Sequence, residues 1–134
     1  MSIGNNVQIA IALPQIYPER RIEMSCVREF AVKAENLGYS GLWVQEQVLG
    51  NPPVLDSLSL LSYVAAITST VKLGVSVLVL PLHNPVQLAK RLSTIDQMSG
   101  GRLVAGLGLG GGTSHYGAFG LSPEARVRRF VECM

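Results

Sequence analysis

The chain has 134 residues, 48% of them hydrophobic and 15% charged, with a formal net charge of +2. That length supports one domain with a real core, and the composition is too apolar for a disordered segment. The small charge, with no basic stripe interleaved with aromatics, argues against nucleic acid as a partner; no apolar run approaches the ~18 residues of a membrane span, and the N-terminus lacks the basic region of a signal peptide. A cytoplasmic protein is expected. Cys26 and Cys133 stand far apart without a CxxC pair, so both are expected to be reduced thiols.

Val7–Leu13 is a short apolar run rich in β-branched residues, closed by Pro14, and suits a strand buried on both faces. A polar loop with Pro18 follows. From Ile22, apolar residues at Ile22, Cys26, Phe30, Ala34 and Leu37 mark one face of a helix, which Gly38 ends. Gly41–Gln45 is a second strand with Glu46 and Gln47 at its exit. After the Pro52–Pro53 loop, Asp56 caps a helix with Leu58, Leu61, Ala65 and Thr68 on one stripe. That helix is apolar around most of its circumference and should be well covered.

Val71–Leu80 is the third strand, and Pro81 ends it. Asn84 caps the next helix, with Pro85 at its first position, Leu88, Leu92 and Ile95 on its buried stripe, and Gly100–Gly101 at its end. Arg102–Gly108 is the fourth strand. A glycine-rich loop leads to Ser122 and Pro123, a further cap and first helical position. Val127, Phe130, Val131 and Met134 then fall at helical spacing. Strand and helix alternate four times, which predicts an α/β fold with parallel strands and right-handed crossovers.

In such folds ligands sit at the C-terminal ends of the strands. Glu46 lies at one of these exits, where a carboxylate can act as general base or ligand; the alternative is a surface loop carboxylate. Gln47 beside it can only donate and accept hydrogen bonds. Gly106, Gly108 and Gly111 spell a GxGxxG after a strand, but no helix opens behind them to receive a pyrophosphate. The glycines therefore serve close approach to a flat ligand or a neighbouring loop, or a flexible loop alone. His83 lies in a short loop before a helix cap; His115, in the glycine-rich loop, is the better functional candidate of the two. No HxH, HExxH or Cys/His cluster is present, so no metal site is expected. Arg126, Arg128 and Arg129 read as a solvated face, with a phosphate contact as the alternative.

The segments LGVSVLVLP, HNPVQLAK, IDQMSGGRL and GLGLG, taken together, resemble the bacterial-luciferase-like family of flavin- or deazaflavin-dependent oxidoreductases. AENLGYSGLWVQEQ and DSLSLLSYVAAITSTVKLG upstream, and YGAFGLSPEARVRRF downstream, extend the resemblance over nearly the whole chain. It implies a (β/α) TIM barrel with flavin mononucleotide (FMN) or the deazaflavin coenzyme F-420 across its C-terminal face, and hydride transfer or oxygen-dependent monooxygenation of a small organic substrate. By match, a cis peptide bond at Ser76–Val77 forms a bulge behind the ring, and Gly108 and Gly110 line the same pocket. Glu46 and Gln47 fall on the family's catalytic pair, which often carries a histidine where this chain has Gln47. A barrel takes ~250 residues and eight strands. Residues 1–134 are thus expected to be the N-terminal half of one domain, with four parallel strands and alternating helices, completed by a C-terminal half or by a second copy. The alternative is a half-barrel without catalytic activity, a gene fragment or an assembly scaffold.

Overall fold

The computed structural model describes residues 7–17, 22–50, 52–111 and 115–134. The expected loop at Pro18 and the end of the glycine run at Gly112 lie outside these residues. The elements are β1 (Ala10–Ala12), α1 (Met24–Asn36), β2 (Gly41–Val44), α2 (Ser57–Ala65), β3 (Lys72–Val79), α3 (Pro85–Ser99), β4 (Leu103–Gly108) and α4 (Arg126–Cys133). The strands pair in the order β1-β2-β3-β4, all parallel. Consecutive order with right-handed crossovers puts every connecting helix on one face, the arrangement of a barrel wall; a doubly wound sheet would reverse its order. The α/β, barrel-type alternation expected from the sequence is the one observed.

The local signals act as their chemistry dictates. Asp56 caps α2, its carboxylate accepting from the Ser59 amide at 2.8 Å. Asn84 caps α3, its side-chain oxygen accepting from the amides of Val86 and Gln87 at 3.1 and 3.2 Å. Gly100 closes α3 in the left-handed conformation, with φ 68°. Ser122 behaves differently: its hydroxyl bonds to the Glu124 carboxylate, Pro123–Ala125 forms a 3-10 turn, and α4 begins only at Arg126.

The core lies between the helices and one face of the sheet. Leu42, Val44, Leu73, Val75 and Leu78 of the strands meet Val27, Ala31, Leu58, Leu61, Val64, Leu88 and Ile95 of the helices. The covering of α2 is as expected. The buried face of α1 is not: Val27, Ala31 and Ala34 are buried, while Cys26 and Leu37 are exposed. Two alanines on that face let the helix lie close to the sheet. On α4, Phe130 and Cys133 are half-buried, whereas Val127, Val131 and Met134 are exposed. A hydrogen bond from Arg129 Nε to the Pro81 carbonyl, at 3.1 Å, turns that helix's Arg129–Phe130 side toward the turn after β3.

β1 is also less buried than expected, with Ala10 and Ala12 exposed on the face away from the helices. Its hydrogen bonding to β2 nevertheless runs beyond the strand proper, from Ser40 N–H to the Ile9 carbonyl and from Leu13 N–H to the Trp43 carbonyl, both at 2.8 Å. On the same inner face Trp43 pairs with Gly74. A Cβ on Gly74 would lie 2.4 Å from the indole, so glycine is what lets the ring lie flat against β3.

The N-terminal rim is held by two charged side chains bonded chiefly to main chain. Glu35 Oε1 accepts from the amides of Ser69, Thr70 and Val71 at 2.8, 2.6 and 3.2 Å. The buried Arg102 guanidinium donates to the carbonyls of Ser99, Val71, Ala65 and Thr68 and to the Thr68 hydroxyl. Burial by itself would raise the pKa of Glu35, but the bonds from Thr70, Ser69 and Val71 outweigh it and hold the carboxyl below its usual range. The carboxylate's contribution is therefore complete above about pH 4.3 and is lost as pH falls through the lower folded-state pKa. Glu35→Gln is expected to cost roughly 1–2 kcal/mol at pH 7 and to flatten the acid limb of the stability curve, as urea unfolding at pH 7 and pH 3 will show.

Candidate functional site

β2 delivers Gln45, Glu46 and Gln47 to the C-terminal rim of the sheet. The Glu46 side chain is only 5% exposed. Its Oε2 accepts from the Val79 amide at 2.6 Å, and His83 Nε2 lies 2.9 Å from Oε1 and 3.1 Å from Oε2. A carboxylate only accepts, so Nε2 carries the hydrogen. Glu46 thus ties the exit of β2 to the last residue of β3 and to the 3-10 turn behind it, Leu80–Leu82, which His83 closes.

This changes the part open to Glu46, whose two oxygens are engaged and nearly enclosed. It also separates Glu46 from Gln47, which is exposed and, among the described residues, reaches the Pro52 carbonyl at 3.5 Å. The partner of Glu46 is His83, which lies 37 residues along the chain. One sequence signal could have found it: a histidine just behind the proline that ends strand three lies on the same rim as the exit of strand two. His115 heads a separate 3-10 turn, Tyr116–Phe119, and its side chain caps nothing there. The buried Tyr116 next to it donates its hydroxyl to the Leu109 carbonyl at 3.0 Å, fastening the glycine-rich loop to the end of β4.

Gln15, 4% exposed, performs a similar service one strand earlier. Its amide nitrogen donates to the carbonyls of Gln45 and Leu55, both at 2.7 Å, and its oxygen accepts from the Gln45 amide at 3.0 Å. Beside it a cleft of about 450 Å³ opens at the exits of β1 and β2, with Pro14, Ile16, Trp43 and Ser76 among its walls.

The exits of β3 and β4 lie further along the same rim. Val75 pairs with Ala105 and Leu78 with Leu107, so β3 carries one residue more than β4 between those pairs. This bulge contains the Ser76–Val77 peptide bond, which is cis, where the family resemblance placed it. Ser76 and Val77 are exposed. On β4, a Cβ at Gly106 would lie 2.7 Å from the Val75 carbonyl oxygen, and one at Gly108 2.5 Å from Val77 Cγ2. Gly110 has φ +75°, and a Cβ there would lie 2.7 Å from Val79 Cγ1. The glycines are thus required by the neighbouring strand, and they leave a surface from which few side chains project. The run is followed by the Tyr116–Phe119 turn rather than a helix, so the dinucleotide reading of GxGxxG has no structural support.

Of the three arginines on the last helix, Arg129 bonds to the Pro81 carbonyl and Arg126 to that of Pro123. Arg128 pairs with Glu132 at 3.5 Å on an exposed surface. Among the described residues no group of three or more His, Cys, Asp or Glu is arranged to hold a metal ion, and no helix is long and apolar enough to cross a membrane.

A family profile described as luciferase-like monooxygenase matches residues 4–134. The 4-hydroxyprotoasukamycin monooxygenase of Streptomyces nodosus subsp. asukaensis is 33% identical over 107 residues, covering 79% of this chain and 29% of that protein. The F420-dependent glucose-6-phosphate dehydrogenase of Kineococcus radiotolerans is 35% identical over 107 residues, covering 75% of this chain and 31% of that protein. Among solved structures, the monooxygenase RslO1 from Streptomyces bottropensis superposes with a TM-score of 0.79 at 25% identity, over 95% of this chain and 40% of its own. The chain spans about three tenths of the length of the curated relatives it matches.

The buried carboxylate makes the rim testable. Glu46→Ala leaves the Val79 amide and His83 without their acceptor and is expected to destabilise the fold by about 2–3 kcal/mol, whereas Glu46→Gln, which keeps an acceptor for one of them, loses less. Urea denaturation of the two variants measures the difference. A solvent-exposed catalytic carboxylate would leave the midpoint unchanged.

Proposed function

The chain belongs to the luciferase-like monooxygenase family, and on that premise we propose that the protein is an oxidoreductase acting on a small organic substrate with FMN or the deazaflavin coenzyme F-420. In this reading residues 1–134 are one partial barrel domain. Ser76, Val77, Gly108 and Gly110 would hold the cofactor's ring. The observation that carries the proposal is the wall at the exits of β3 and β4: the bulge of β3 exposes Ser76 and Val77, and β4 has no side chain at positions 106 and 108. A planar, largely uncharged ring fits such a surface, because nothing bulky stands out from it and no described charge in it needs a counter-ion. A relative named as an F420-dependent dehydrogenase supports the deazaflavin, and one named as a monooxygenase supports oxygen-dependent chemistry.

The bound group supplies the two-electron chemistry, as hydride transfer or as oxygen activation by reduced flavin. The chain's own residues supply the surface and its rigidity. Glu46 is a positioning residue in this scheme: by holding the Val79 amide and His83 it keeps the end of β3, and with it the wall, in place. Gln47, exposed beside it, can orient a polar group of the substrate but cannot exchange a proton.

Absorbance titration of the protein with FMN and with coenzyme F-420 tests the proposal. One of them is expected to show a saturable shift of its visible band, and Ser76→Phe, which puts a bulky side chain on the exposed bulge, is expected to weaken that binding about tenfold or more, equivalent to ~1.4 kcal/mol. Binding of neither cofactor would refute it.

A further inference from the structure

We propose that the cleft at the exits of β1 and β2 selects an uncharged, predominantly apolar portion of the substrate, packed against the indole of Trp43. The inference rests on the oxidoreductase reading and adds the chemical class of what is oxidised or reduced.

The cleft is lined by Ala12, Pro14, Ile16, Trp43, Gln45 and Ser76, with buried residues behind them. None of its described lining residues carries a charge. Gln15 is the one buried polar side chain in the wall. Its amide is committed on both sides, to the Gln45 main chain and to the Leu55 carbonyl, so it has little left to offer a ligand. The nearest rim carboxylate, Glu46, is closed off by the Val79 amide and His83 and is 5% exposed. A carboxylate or phosphate entering this space would lose water and meet no counter-charge among the described lining residues.

The apolar surface, by contrast, is open. Ile16 is 44% exposed at the mouth, and Val48 and Leu49, on the loop that leaves β2, are 46% and 43% exposed. Trp43 is held flat because Gly74 has no side chain behind it. A rigid aromatic face fixed by its own strand is a good apolar contact, since it needs little further ordering when a ligand arrives.

Trp43 is the only tryptophan in the chain, so its emission reports on this cleft. The full chain is titrated with methyl cyclohexanecarboxylate and, separately, with sodium cyclohexanecarboxylate at pH 7.5, before any cofactor is added. The ester is expected to change the emission saturably and to bind at least tenfold more tightly than the carboxylate. Equal affinities, tighter binding of the carboxylate, or no response to the ester would overturn the inference. Ile16→Lys, at the exposed mouth, is expected to lower the ester-to-carboxylate preference at least fivefold; an unchanged preference would place selectivity elsewhere and overturn it as well. FMN and F-420 titrations on the same preparations separate the two proposals. Ester preference without cofactor binding refutes the oxidoreductase reading, and cofactor binding with carboxylate preference refutes this one.

Discussion

On β4 and just past its end, β3 leaves no room for a side chain at three alternate positions: one would meet the Val75 carbonyl, the next two the side chains of Val77 and Val79. The extra residue of β3 between Val75 and Leu78 brings the Val75 carbonyl and the side chains of Val77 and Val79 against β4. Positions 106, 108 and 110 are the ones they meet, and each is glycine. A bulge bends its strand and raises the local twist, so the partner can follow only if it is free of bulk on that face. The side-chain-poor wall at the C-terminal rim and the exposure of Ser76 and Val77 go with this bulge and the glycines opposite it.

The two rims of the sheet are held together by the same device, put to different ends. At the N-terminal rim, Glu35 gathers the amides of the loop into β3, and Arg102 gathers carbonyls from α2, α3 and the loop between α2 and β3. At the C-terminal rim, Gln15 joins the exits of β1 and β2, and Glu46 joins the exits of β2 and β3. Gln15, Glu35 and Arg102 are satisfied mainly by main chain, and Glu46 by one main-chain amide together with His83, which is how a polar side chain drawn into the fold becomes tolerable. In barrel folds the N-terminal rim serves stability and the C-terminal rim serves chemistry. Here the C-terminal rim also contains stabilising groups, and because those groups are internally satisfied, the surface left for a ligand is mostly apolar.

Elements were more legible than faces. The caps at Asp56 and Asn84, the turn at Gly100 and the alternation of strand and helix depend on neighbours in the chain, and the structure shows them where local chemistry puts them. On α1, Cys26 and Leu37 fit a helical period as well as Val27 and Ala31 do, yet only the latter two are buried. The period states that a stripe exists; which stripe meets the sheet depends on how closely two elements approach. Val127 and Val131 are exposed for a related reason: Phe130 and Cys133 take the core side of α4, and Arg129 bonds to Pro81.

At the candidate site, the order of elements along the chain is enough to bring Glu46, Gln47 and the glycines of the fourth strand to one rim, because parallel βα units bring every strand exit to the same end. The sequence determined the family as well, through several short motifs in a fixed order. Which of these groups touch depends on the packed fold. It paired Glu46 with His83 across 37 residues and turned Gln47 away. It also showed that Gly106, Gly108 and Gly110 answer to β3. The physical reason is common to all three: hydrogen bonds and van der Waals contacts act over a few ångströms, and the separations that matter here are set by strands brought side by side, which spacing along one chain does not encode.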